Sequence, residues 1–222
     1  WFTEASGGKI GRITTSGIIT EYPVGSALGY GITVGSDGAV WFAEGAVDKI
    51  GRIDTATGVI TEYPVSNGHN NSNIQDITRG SDGAVWFLEN NPNRIGRLAP
   101  DGSFSDTPFD AGVTTSIRSG LSVGSDGALW FTLYSAAGSP TASSIGRFDM
   151  SGNFSQYILP DPAGDPEGIT NGPDGALWFT ERDTDKIGRL TTSGNYSAYS
   201  LPAPSYSPDG KLPLGITVGS DG

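Results

Sequence analysis

Carboxylates recur at fixed places in this sequence. A Trp-Phe-x-Glu run ends at Glu4, Glu44, Glu89 and Glu181, and Asp76 and Glu167 precede the last two by thirteen and fourteen positions. An Asp-Gly pair lies inside each interval. Folding back about it sets Gly31 opposite Glu44, Asp76 opposite Glu89 and Glu167 beside Glu181. Directly opposed carboxylates repel unless they share a proton or a cation. Hard oxygen ligands suit Mg²⁺ or Ca²⁺, so Asp76, Glu89, Glu181 and Glu44 are the candidate metal ligands. The competing reading has Arg79, Arg94, Arg118 and Arg182 neutralising these acids. His69 sits in a run of Asn, Ser and Gly and reads as a solvated loop side chain. No Gly-x-Ser-x-Gly, phosphate loop, dinucleotide fingerprint or His-Glu-x-x-His run is present. With no Cys, thiolate metal sites and disulfides are excluded. Asn70, Asn153 and Asn195 begin glycosylation-type triplets, which also arise by chance.

A repeat must position these acids. Trp-Phe recurs at Trp1, Trp41, Trp86, Trp130 and Trp178, and each pair is followed by Ile-Gly-Arg, beginning at Ile10, Ile50, Ile95, Ile145 and Ile187. Asp-Gly precedes every internal Trp and predicts a tight hairpin of type I′. One unit then reads as four strands, 31–36, 39–44, 49–54 and 59–65. A period near 44 residues with four strands is that of a propeller blade. The predicted fold is an all-β, five-bladed β-propeller with four antiparallel strands per blade.

Pairing across the second turn sets each Trp against the Arg of Ile-Gly-Arg and each Phe against its Gly. The Arg plane then stacks on Trp and the Phe ring covers bare Gly, as packing between blades. The same pairing predicts ion pairs Glu4/Lys9, Glu44/Lys49, Glu89/Arg94 and Glu181/Lys186, replaced together by Leu133 and Ser144 in the fourth unit. First-strand starts and second-strand ends fall at one end of a propeller axis, so the acids are expected to converge there.

Residues 215–222 read as a first strand and turn, whereas Trp1 opens a second strand. Pairing the two would close the ring in a 1+3 velcro; the alternative is a stretch of a longer repeat array. The net charge of −11 argues against nucleic acid and anionic membranes as partners, and no apolar run of membrane-spanning length occurs. The chain opens without Met, which is expected of a processed, excised or internally cut chain. An extracellular or secreted setting is the favoured expectation.

The unit Gly168–Glu181, the following Lys186-Ile187-Gly188-Arg189 and the Ile-Thr-Glu-Tyr-Pro runs at 19–23 and 60–64 resemble the virginiamycin B (streptogramin) lyase family along the whole chain. The resemblance implies a seven-bladed propeller that linearises cyclic depsipeptide antibiotics by Mg²⁺-dependent elimination at the ester. It also implies a His base just before a Gly-Ile, fourteen positions ahead of the metal-associated Glu. Here that position holds Tyr30, Gln75, Ser119, Glu167 and, through closure, Leu214; none is His. Tyr30, Gln75, Arg79 and Arg118 become candidate ligand contacts, and Glu167 the candidate replacement base, which would need a raised pKa.

Three readings follow. One is a non-catalytic, lyase-like propeller acting as scaffold or as a ring that binds a small molecule or peptide. A second is a Mg²⁺-dependent lyase on a streptogramin B-type depsipeptide, with Glu167 as base. The third is a propeller fragment whose role is only to fold.

Overall fold

The computed structural model describes residues 1–25, 28–29, 31–45, 47–65, 73–90, 92–111, 115–135, 143–202 and 213–220. Two compact units divide the chain, Trp1–Pro108 and Phe109–Gly222.

The first unit holds three antiparallel sheets. β1 (Phe2–Glu4), β2 (Lys9–Ile13) and β3 (Ile19–Pro23) form the first. β4 (Ile32–Val34), β5 (Val40–Glu44), β6 (Lys49–Ile53) and β7 (Ile60–Pro64) form the second. β8 (Ile74–Arg79), β9 (Val85–Asn90), β10 (Asn93–Leu98) and β11 (Phe104–Pro108) form the third. In the second unit, β12 (Thr115–Val123), β13 (Leu129–Ser135), β14 (Ser144–Phe148) and β15 (Phe154–Ile158) make one sheet. β16 (Pro166–Asn171), β17 (Leu177–Glu181), β18 (Lys186–Leu190) and β19 (Tyr196–Ser200) make the other.

Each sheet presents apolar side chains on both faces, so sheets stack. Trp41, Ala43 and Ile50 of the second sheet share a buried cluster with Val85, Phe87 and Leu98 of the third. Trp130 and Ile145 do the same with Leu177, Phe179 and Leu190 in the second unit. The Phe-over-Gly pairing is realised. A Cβ on Gly51 would lie 2.1 Å from the Phe42 ring, and one on Gly188 2.3 Å from Phe179. Arg guanidinium carbons stand 5.6–5.9 Å from the ring centres of Trp1, Trp41, Trp86, Trp130 and Trp178.

The Asp-Gly turns differ from expectation. Gly35 N–H donates to Ala39 O at 2.9 Å and Gly38 N–H to Gly35 O at 3.2 Å, with φ of 76° at Gly38. This is a three-residue loop, a type I turn closed by a left-handed glycine, in place of type I′. The reason lies in the Asp. Asp37 Oδ1 accepts from Ala39 N (3.1 Å) and Trp41 Nε1 (3.1 Å), and Oδ2 accepts from Arg52 Nε (2.6 Å). Asp82, Asp126 and Asp174 repeat the arrangement. Turn tips are also joined: Ser36 Oγ donates to Gly83 O at 2.9 Å, and Ser125 Oγ to Gly175 O at 2.7 Å.

First strands of successive sheets approach at glycines. A Cβ on Gly31 would lie 2.6 Å from Ile77 N, and one on Gly120 2.1 Å from Glu167 O. Residues 213–220 carry no strand but meet the fifth sheet in a corresponding way. Thr180 Oγ1 donates to Leu214 O at 3.0 Å, as Thr132 Oγ1 does to Glu167 O at 2.8 Å.

Candidate functional site

The longer turn shifts the first two strands of each four-stranded sheet by one register step, which reorganises the acids. Gly31 lies against Ala43, whose N–H donates to Gly31 O at 3.1 Å, and not against Glu44. In the third sheet Asp76 faces Leu88, and after a bulge at Gln75 it is Ile74 that faces Glu89. In the fifth, Pro166 faces Glu181, and the irregularity spans Glu167 and Gly168. The expected carboxylate-on-carboxylate pairs are therefore absent. A one-residue slip moves a side chain to the other face of its sheet.

The rim ion pairs are also redrawn. Glu4/Lys9, Glu44/Lys49, Glu89/Arg94 and Glu181/Lys186 are neighbours in register, as expected. The bases, however, reach outward. Lys9 pairs with Glu21, Lys49 with Glu62 at 2.5 Å, Arg94 with Asp106 and Lys186 with Asp161 at 3.0 Å. For the three lysines, pairing with a more exposed acid spares the ammonium the cost of burial, whereas Arg94 and Asp106 form a largely buried pair. In the fourth sheet, Leu133 faces Ser144, and Ser144 Oγ accepts from Gln156 Nε2 at 2.6 Å.

Glu44, Glu89 and Glu181 are left almost wholly buried, at 0–1% exposure. Glu44 and Glu181 turn inward over the glycine of Ile-Gly-Arg: Glu44 Oε1 lies 2.9 Å from a Cβ built on Gly51, and Glu181 Oε1 2.6 Å from one on Gly188. Burial, aided by Asp106, pushes the Glu89 carboxyl up to about 7. Burial also raises Glu181, opposed by Tyr196, whose hydroxyl donates to Oε1 at 2.6 Å, while Thr184 donates to Oε2 at 3.4 Å. A Mg²⁺ or Ca²⁺ site needs several carboxylate or carbonyl oxygens around one point, with room for water. Among the described residues no three Asp, Glu or His side chains gather in that way. As described, the candidate acids form no such cage of carboxylates around one point.

Of the other candidates, Gln75 sits at the bulge and donates to Asn73 O at 3.3 Å. Asp76 Oδ1 accepts from its neighbour Ile77 N at 2.8 Å. Arg79 faces Val85 at the turn end of β8, five residues from Ile74 and about 16 Å away at the usual strand rise, so it does not join the acids. Tyr30 and His69 lie outside the described residues.

Arg118 and Glu167 are brought together. At the start of β16, Arg118 on β12 and Arg182 in the short 3₁₀ turn Arg182–Thr184 face Asp165 and Glu167. Arg118 Nη2 is 3.1 Å from Asp165 Oδ1 and Arg182 Nη1 is 3.5 Å from Oδ2. Glu167 Oε1 lies 3.6 Å from Arg182 Nη1 and 4.0 Å from Arg118 Nη1. The charges alternate around four groups and sum to zero. The Arg118 guanidinium carbon also stands over Tyr134, 4.1 Å from its ring centre. Asp165 is buried, which raises its carboxyl, and its backbone is left-handed with φ of 39°. Sequence reasoning passed over Asp165 and Tyr134. The available signal was Asp165-Pro166-Glu167, two acids flanking a strand start.

The whole chain, residues 1–222, matches the family model described as virginiamycin B lyase. Virginiamycin B lyase from Staphylococcus aureus is 39% identical, with a TM-score of 0.83, over 98% of this chain and 70% of that one. A streptogramin B lyase structure is 38% identical, with a TM-score of 0.84, over 100% of this chain and 70% of that one. A catalytically inactive histidine-to-alanine variant of the Staphylococcus aureus lyase, solved with quinupristin, is 39% identical, with a TM-score of 0.83, over 97% and 69%. No curated protein matches significantly. With the repeated antiparallel sheets described above, these likenesses make the chain a β-propeller protein of the virginiamycin B lyase family.

Proposed function

We propose that this chain is a ligand-binding β-propeller of its family that lacks the family's elimination chemistry. One observation carries the reading. At the position where the family resemblance calls for a His base, the fifth sheet presents Glu167, whose carboxylate is engaged by Arg118 and Arg182. A base must be within reach of a substrate proton and free to accept it. A carboxylate set between two guanidiniums is committed to charge pairing. Gln75, Ser119 and Leu214 hold the equivalent place elsewhere, and none of these side chains is a base near neutral pH. The partly exposed guanidiniums and the Tyr134 ring offer donors and a flat surface to a peptide or small molecule, in keeping with the quinupristin bound by the relative's inactive variant.

The test uses quinupristin with and without Mg²⁺. Elimination opens the ester ring without changing mass, so retention time and the absorbance of the new alkene are followed. Intact quinupristin is expected, together with saturable quenching of the five Trp residues. Ring opening that Glu167→Gln abolishes would establish the lyase reading instead.

We also propose a five-bladed ring in which residues 215–222 pair beside β1. Their sequence, Gly-Ile-Thr-Val-Gly-Ser-Asp-Gly, is identical with Gly31–Gly38, whose strand β4 pairs with the Trp-Phe strand β5.

A further inference from the structure

Where sheets meet, a Tyr on the outer strand packs onto the glycine of the next sheet's last turn. Between the first and second sheets, a Cβ on Gly58 would lie 2.7 Å from Tyr22 Cε1. Between the fourth and fifth, one on Gly194 would lie 2.8 Å from Tyr157 Cε1. The second and third sheets break the pattern: Tyr63 Cε1 stands 3.9 Å from the corresponding point on Gly102. Tyr63 remains stacked on Trp41, with ring centres 5.4 Å apart, so Tyr63 has not left its own sheet. The gap opens into a cleft of about 270 Å³ lined by Asp37, Trp41, Arg52, Tyr63, Leu98 and Pro100.

The lining limits what could enter. The volume is just under the roughly 300 Å³ at which pockets for drug-sized ligands begin, so a single small ring is the right scale. Asp37 and Arg52 already neutralise each other through Arg52 Nε and Asp37 Oδ2 at 2.6 Å, so a charged guest would bring uncompensated charge. Arg52 makes no hydrogen bond through its two Nη groups among the described residues, and the Tyr63 hydroxyl makes none there either. Hydroxyl groups, which both donate and accept, match donors from Arg52, an acceptor on Asp37 and the Tyr63 phenol together. Leu98, Pro100 and Trp41 supply an apolar wall for the C–H face of a ring.

We propose that this cleft binds an uncharged monosaccharide-sized ring, a pyranoside. It lies at the turn end of β5, the opposite end from Glu44, and is independent of the function proposed above. The probes are methyl glucopyranoside, galactopyranoside and mannopyranoside, followed by saturation-transfer NMR on the whole chain. At least one should bind saturably in the millimolar range. Pro100→Trp, at an exposed turn position, should cover the mouth and weaken binding about tenfold or more. Tyr63→Phe, which keeps the stack and removes one hydroxyl, should weaken it about threefold. Tyr22→Phe, at the closed interface, should leave it unchanged. Quinupristin quenching should survive Pro100→Trp, which keeps the two proposals separable. No binding by any of the three glycosides, or equal binding by wild type and Pro100→Trp, would overturn the assignment.

Discussion

Glu89 shows how little of a side chain's role is set by its identity. In sequence it is one of four glutamates ending the same motif, and a base faces it across the turn. In the fold Arg94 turns to Asp106, and Glu89 is left 1% exposed with Oε1 lacking a hydrogen bond among the described residues. Its carboxyl is raised from 4.5 to about 7, chiefly by burial. The folded state therefore holds a proton that the unfolded chain releases above about pH 4.5. Stability from this group is complete below that pH and is lost as pH rises towards 7, by about 3 kcal/mol at most. Urea midpoints measured from pH 4.5 to 7.5 should fall for wild type. For Glu89→Gln they should lack that component of the slope, and the variant should be the more stable above pH 7. A parallel decline in both proteins would assign the slope to another group.

Among the elements, the sheet is the unit whose arithmetic was legible. Strand order, the Trp/Arg and Phe/Gly partners and the register of the second turn all follow from the repeat, because period-2 alternation leaves few ways to bury two faces. The first turn departs from the type I′ expectation because Asp is more than a turn former here. Its carboxylate also bridges Trp and Arg, and that favours the three-residue loop. One residue of error there placed Asp76 and Glu167 against the wrong partners, while the guanidinium pair at the start of β16 depended on contacts between sheets that no local pattern encodes. The sheet also makes a sharp forecast. Gly51→Ala sets a methyl 2.1 Å from the Phe42 ring in a buried site, and should destabilise by about 1–3 kcal/mol. Thermal unfolding reads this out, and Phe42→Leu in the same chain should recover part of the loss. An additive double variant would mean the ring is not what the methyl meets.

For the whole molecule, repetition is both the strongest signal and the source of its ambiguity. Identical octapeptides at 31–38 and 215–222 announce a strand that belongs beside a Trp-Phe partner. If the pairing proposed above forms, the amides of Thr217 and Thr3 should exchange hydrogen slowly, like those of Thr33 and Ala43, which lie at the hydrogen-bonded positions of β4 and β5; exchange at the rate of an unstructured peptide would dismiss it. The tip-to-tip bonds from Ser36 to Gly83 and from Ser125 to Gly175 carry a different message. Each Asp-Gly hairpin that precedes a Trp reaches it in four positions, whereas the connections between the second and third strands run from two residues (91–92) to eight (136–143). A clasp between adjacent hairpins tolerates no insertion, since one added residue would carry the serine past its carbonyl. Added residues, natural or grafted, are therefore better accommodated at the opposite margin of each sheet, where connections already differ in length without undoing the stack.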